Sequence, residues 1–164
     1  QVYIKLYGAF ETYLFDMLEK SFQEIGTENN SLELSKRILM NKSWDGKFCS
    51  MNDTFKIGYK SAELIAHFSS FDLNHMGMPY KNPLDFLDEL AEFRHRIIHA
   101  AGIIDQTLAD KYPDAKLETG RSICLPNDIF IQMFAFYSLL TEYVDKLFAQ
   151  TFRYSRHRIN PAQA

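Results

Sequence analysis

The sequence holds only two cysteines, Cys49 and Cys124, in 164 residues. Neither has a partner at metal-ligand spacing, which excludes a disulfide framework and a zinc knot and points to a reducing, cytosolic setting. No apolar run reaches the 18 residues of a membrane span, and no signal peptide is visible. An excess of positive charge is missing too: 18 Lys and Arg stand against 21 Asp and Glu, for a net charge of -3. A domain that coats nucleic acid indiscriminately is basic, so any such contact here must come from a local patch. A glycine-rich phosphate loop and a nucleophile elbow are also absent, which removes two large enzyme classes.

Aromatic residues are abundant. They make up 15% of the chain, with 14 Phe and 9 Tyr, and they suit bulky helix packing or an aromatic interface. The length suits one domain with a core of its own.

The apolar periodicity is helical. Tyr3, Leu6, Tyr7, Phe10, Leu14, Met17, Leu18 and Phe22 recur at intervals of three and four, which predicts a helix from Val2 to Ile25 stopped by Gly26. Ser31 is suited to cap a second helix reaching about Asn41. Residues 42–60 carry no clear pattern, and Trp44-Asp45-Gly46 reads as a turn with an anchoring aromatic. A third helix is expected from Ser61 to Phe71, then a loop from Asn74 to Lys81. The fourth has the strongest boundaries: Asn82 as N-cap, Pro83 in the first turn, Asp85 and Asp88 near the positive end, and Gly102 after Ala101. Gly120 to Leu125 suggests a short extended segment. Pro126 and Asp128 open a long last helix with a stripe of Ile129, Met133, Phe136, Tyr137, Leu140, Val144, Leu147 and Phe148. The expected fold is all-α: a bundle of about five helices with two long terminal ones.

On a helical wheel of the fourth helix, Arg94 falls among Leu87, Leu90, Ala91, Ile97, Ile98 and Ala101, opposite Asp85, Asp88, Glu92 and Arg96. A guanidinium in an apolar stripe needs a counter-charge, because desolvating it unpaired costs several kcal/mol. The choices are a carboxylate from another helix, a second subunit or a bound phosphate; Glu11, at the edge of the first helix's stripe, is the internal candidate. His95 and His99, four residues apart, are surface neighbours. A bare Arg-x4-His spacing arises readily by chance, so its weight comes from its surroundings.

Those surroundings, Glu92-Phe93-Arg94-His95-Arg96-Ile97-Ile98-His99-Ala100-Ala101-Gly102-Ile103-Ile104-Asp105, resemble the signature helix of the HEPN superfamily. That pattern has an Arg followed by a polar residue, then a His four to six positions after the Arg. The Gly-Ile-Ile-Asp exit and the opening Tyr7-Gly8-Ala9-Phe10-Glu11-Thr12-Tyr13-Leu14 resemble the abortive-infection and toxin-like branch. The usual residue after the Arg is Asn, and His95 departs from that. Residues 44–80 give no specific match. The resemblance implies an HEPN-like helical domain over residues 1–152 and a metal-independent, cofactor-free endoribonuclease acting as a homodimer, in phage defence or as a toxin with an antitoxin or other regulatory partner. Arg94 and His99 would be catalytic, with His95 and Glu11 in support.

The remaining candidates are weaker. Arg96 is expected to pair with Glu92 and could line an RNA groove. Arg153, Arg156, His157 and Arg158 form a basic cluster in a tail, residues 153–164, expected to fray; it is the other possible RNA contact. His67 and His75 read as structural or surface groups and not as zinc ligands. The alternatives to catalysis are a non-catalytic HEPN-like dimerisation or nucleotide-binding module of a larger protein, and an unrelated helical adaptor in which Arg94 is paired internally.

Overall fold

The three- and four-residue recurrence of Tyr3, Tyr7, Phe10, Leu14, Leu18 and Phe22 gives one buried face to α1 (Val2–Glu24) in the computed structural model, which describes residues 1–152. The chain continues through α2 (Ser31–Leu39), α3 (Trp44–Phe55), α4 (Ser61–His67), a ribbon of β1 (Asn74–His75) and β2 (Met78–Pro79), α5 (Pro83–His99), α6 (Gln106–Lys111) and α7 (Asn127–Phe152). The basic tail and the domain boundary after residue 152 lie outside the described residues. Among those residues, no helix is long and apolar enough to cross a membrane.

The fold is a mostly helical bundle with two long terminal helices. α1 is the central strut and packs on α2, α5 and α7, while α3 closes against α2 and α5. Trp44, Phe48, Phe86, Phe93, Phe136 and Phe148 are wholly buried between them. Burying a side chain of this kind contributes roughly 1.5–3 kcal/mol, so the aromatic excess forms the core.

Five sequence expectations change. Trp44-Asp45-Gly46 is the first turn of α3, with the Ser43 hydroxyl accepting from Gly46 N at 3.0 Å as its cap. The anchoring role of Trp44 holds, but Trp44, Phe48, Met51 and Phe55 already carry helical spacing that Gly46 obscures. Ser31 is not a cap: Asn30 precedes α2, and Ser31 is buried within its first turn. α4 ends at His67, four residues short of Phe71. The 74–81 loop contains the antiparallel ribbon, with Asn74 opposite Pro79 and His75 opposite Met78. Met76 and Gly77 turn it, both with positive φ, the geometry whose twist matches a tight hairpin. The extended segment expected at 120–125 amounts to one bridge, Ser122 to Ile103.

The boundaries of α5 follow from local chemistry. Asn82 Oδ1 accepts from Leu84 N at 2.9 Å, and Pro83 occupies the first turn, where its missing N–H costs nothing. At the far end Ala101 and Gly102 both turn left-handed, and Gly102 N donates back to Arg96 O at 3.0 Å. The following segment is pinned: Ile104 N donates to Arg121 O at 2.8 Å, and Ile123 N to Gly102 O at 2.7 Å.

Candidate functional site

α5 changes character along its length. Its first eleven residues bury Leu84, Phe86, Leu87, Glu89, Leu90 and Phe93. Beyond Phe93 the core lies only toward Ile97, and His95, Ile98 and His99 are exposed. Arg94 is therefore not the centre of a buried stripe, as the wheel suggested. It lies at the margin where the helix emerges, with 31% of its side chain in solvent. A single wheel averages one buried direction over the helix, whereas here the buried sector narrows toward the C-terminal end.

The counter-charge for Arg94 comes from α1. Glu11 Oε2 lies 3.7 Å from Arg94 Nη2, a contact longer than a hydrogen bond, and 40% of the Glu11 side chain is exposed. One turn earlier on α1, the Tyr7 ring lies under the guanidinium, 5.0 Å from ring centre to Cζ. Such a cation–π contact is worth about 0.5–1 kcal/mol at a partly exposed site. Tyr7 is fixed in turn by Trp44, whose indole N–H donates to its hydroxyl at 3.1 Å. Asp88 Oδ1 accepts from the Trp44 backbone N at 2.8 Å, and Lys47 sits over the Trp44 ring. Tyr7, Trp44, Lys47, Asp88 and Tyr137 were not among the sequence candidates for this site. Tyr7 alone had a local signal, standing four residues before Glu11 on the same helix.

Burial pushes the Glu11 carboxyl above the usual range, against the opposing pull of Arg94 and Lys47. Burial also raises Asp88 and lowers Lys47. Arg94 Nε and the Tyr137 hydroxyl are both buried without a hydrogen-bond partner among the described residues. Tyr137 lies within electrostatic reach of Tyr7, Glu11 and Arg94.

The two histidines of the motif are neighbours on the outer surface. The rings of His95 and His99 lie 4.5 Å apart, tilted by 46°. His99 lies five positions after Arg94, about 7.5 Å of rise and about 140° of rotation on a regular helix. One copy of the chain therefore does not aim both groups at a common point. Two surface hollows, of 320 Å³ beside Tyr13 and Met17 and of 430 Å³ beside Phe71 and Gln132, include neither residue.

Arg96 and Glu92 do not pair with each other. Arg96 forms a close ion pair with Asp105, and Glu92 takes Lys111 together with the Tyr112 hydroxyl, the latter at 2.9 Å. The i, i+4 geometry is outcompeted because α6 and the exit turn bring better partners. Asp105 has two tasks, since its Oδ1 also accepts from Leu108 N at 2.8 Å and caps α6. These bonds hold its carboxyl below the usual range, that from Leu108 N first and Arg96 second. The exit residue matched in the motif thus fixes the turn after α5.

His67 and His75 are both structural in position. His67 Nε2 is 3.0 Å from Leu139 O. His75 is carried by the ribbon into the core, where its Nδ1 lies 3.3 Å from Glu89 Oε2 and both side chains are shut off from solvent. Phe93 and Phe86 meet the His75 ring edge-on. Burial, and then the charge of Glu89, drives the Tyr80 phenol well up from its ordinary value. Glu89 escaped the sequence reading because its partner arrives from a ribbon that has no helical period. Compared with family models, curated proteins and solved structures, the chain matches none.

Proposed function

We propose that this chain is a metal-independent endoribonuclease whose active site is assembled from two copies, each giving Arg94 and His99 across a two-fold seam. The observation that carries this reading is the emergent end of α5. It presents an incompletely paired guanidinium, two adjacent exposed imidazoles and an exposed Ile98, 43% in solvent, within the last turn and a half of the helix. The roughly 140° between Arg94 and His99 favours a two-copy site, because the His of one copy would meet the Arg of the other across an isologous contact. The resemblance of the Arg94–Asp105 segment to the HEPN signature helix, a property of the sequence, points the same way.

The chemistry is balanced without further reagents. One histidine takes the proton of the 2′-hydroxyl as its oxygen attacks phosphorus, and another gives a proton to the departing 5′-oxygen. Arg94 holds the phosphate and stabilises the added negative charge of the phosphorane. The products are a 2′,3′-cyclic phosphate and a 5′-hydroxyl. His95 shares proton transfer or orients the phosphate, and Arg96, when released from Asp105, is a further RNA contact. Phage defence or toxin action in the cytoplasm, under an antitoxin or other regulator, is the setting that fits such an activity.

The test is RNA cleavage in EDTA by the wild type, Arg94→Ala and His99→Ala. Each substitution is expected to lower the rate by about 10²–10⁴, the usual contribution of a positioned acid or base. Equal cleavage by all three proteins, or loss of wild-type cleavage in EDTA, overturns the proposal. A second reading, a non-catalytic dimerisation or nucleotide-binding module, or a helical adaptor, is favoured by the contact of Arg94 with Glu11, which gives the guanidinium a counter-charge within its own chain. A protein that turns over no RNA, and is a dimer or a monomer by sedimentation, supports the module or the adaptor respectively.

A further inference from the structure

Besides Glu89 with His75, three side chains of α5 form ion pairs across to other elements, and one of the three is slack. Arg96 with Asp105 and Glu92 with Lys111 are in direct contact, whereas Arg94 and Glu11 stop at 3.7 Å. Both members of the slack pair are part-exposed, so water reaches them. The guanidinium also lies over the Tyr7 ring, a second contact besides Glu11. Its Nε and the neighbouring Tyr137 hydroxyl, 94% buried as a residue, remain without partners among the described residues. An oxyanion with several acceptor oxygens would pair with the exposed part of the guanidinium better than one distant carboxylate oxygen does.

We infer that Glu11 is a gate on the Arg94 site: its carboxylate occupies the guanidinium in the empty protein and must be displaced by an RNA phosphate before binding. This rests on reading Arg94 as the phosphate-holding residue, and it reverses the sense of the supporting role expected for Glu11 from the sequence. An orienting carboxylate would strengthen binding, whereas a competing one weakens it. The raised carboxyl pKa of Glu11, caused first by burial, accords with a charge kept only loosely by its partners.

The experiment measures affinity for a 2′-O-methyl oligoribonucleotide, which cannot be cleaved because the attacking hydroxyl is blocked. Fluorescence anisotropy at one fixed salt concentration compares the wild type, Glu11→Gln, Glu11→Asp, Arg94→Ala and the Arg94→Ala/Glu11→Gln double variant. Glu11→Gln is expected to tighten binding about threefold to fivefold, the scale of a half-exposed charge contact. Glu11→Asp, which withdraws the carboxylate by one methylene, should shift it the same way by less. Arg94→Ala should weaken binding and make Glu11→Gln silent. Tightening by Glu11→Gln that persists without Arg94 is a general charge effect and overturns the gate. Unchanged or weaker binding by Glu11→Gln, with Arg94→Ala still defective, overturns the gate and leaves the Arg94 reading intact. Wild-type affinity in Arg94→Ala overturns that reading itself. Glu11 is part-exposed on a long helix, so its variants should fold; melting curves check this, and Glu11→Asp carries the test if Glu11→Gln does not.

Discussion

Glu89 and Glu11 are carboxylates that each face a basic side chain at α5, and their settings are opposite. Glu89 and His75 are sealed between α5 and the ribbon, enclosed by Phe86 and Phe93. Glu11 and Arg94 meet in the open, at a longer distance, with solvent on both. A sealed pair cannot exchange its partner without leaving a buried polar group unmatched, so it fixes geometry. An open pair loses little on separation, so it is available to a third party. The half of α5 that carries Glu89 is thus the anchored half, and the half that carries Arg94 is the one free to meet a ligand or another copy.

Stability measurements can break this contrast. Glu89→Ala leaves the buried His75 ring without its polar neighbour and should cost about 1–3 kcal/mol in chemical denaturation. A cost below about 1 kcal/mol would mean that the pair does not anchor the ribbon. Asn82→Ala removes the cap at the anchored end of the helix and should cost about 1 kcal/mol. If its melting transition is unmoved, the start of α5 is held by packing alone. Glu11→Ala should be the mildest, at about 0.5 kcal/mol or less, since exposed pairs contribute little. A loss as large as that of Glu89→Ala would erase the distinction and count against an exchangeable carboxylate.

How much of this was legible in the sequence depends on how local the determinants are. Asn82, Pro83 and Gly102 act within one turn of the backbone they satisfy, and they marked α5 correctly. The stripes of α1 and α7 were plain because those helices keep one buried side over many turns. α3 was missed although Trp44, Phe48, Met51 and Phe55 are spaced for it, because Trp44-Asp45-Gly46 also has turn chemistry. At the candidate site, Glu11 was the correct internal neighbour of Arg94, and its residue type and edge position carried that signal. The support beneath it was not legible. Trp44 reaches Tyr7 across 37 positions in the chain, and His75 reaches Glu89 from a ribbon with no helical period. Helical periodicity reports which side of a segment is buried and says nothing of what it is buried against.

Trp44 is the one tryptophan of the chain, and it stands at the junction where α3 meets α1 and α5. Its indole N–H is spent on the very tyrosine that underlies Arg94. All indole emission from this protein therefore originates one residue away from the guanidinium. The fold carries its own optical reporter, joined through Tyr7 to Arg94.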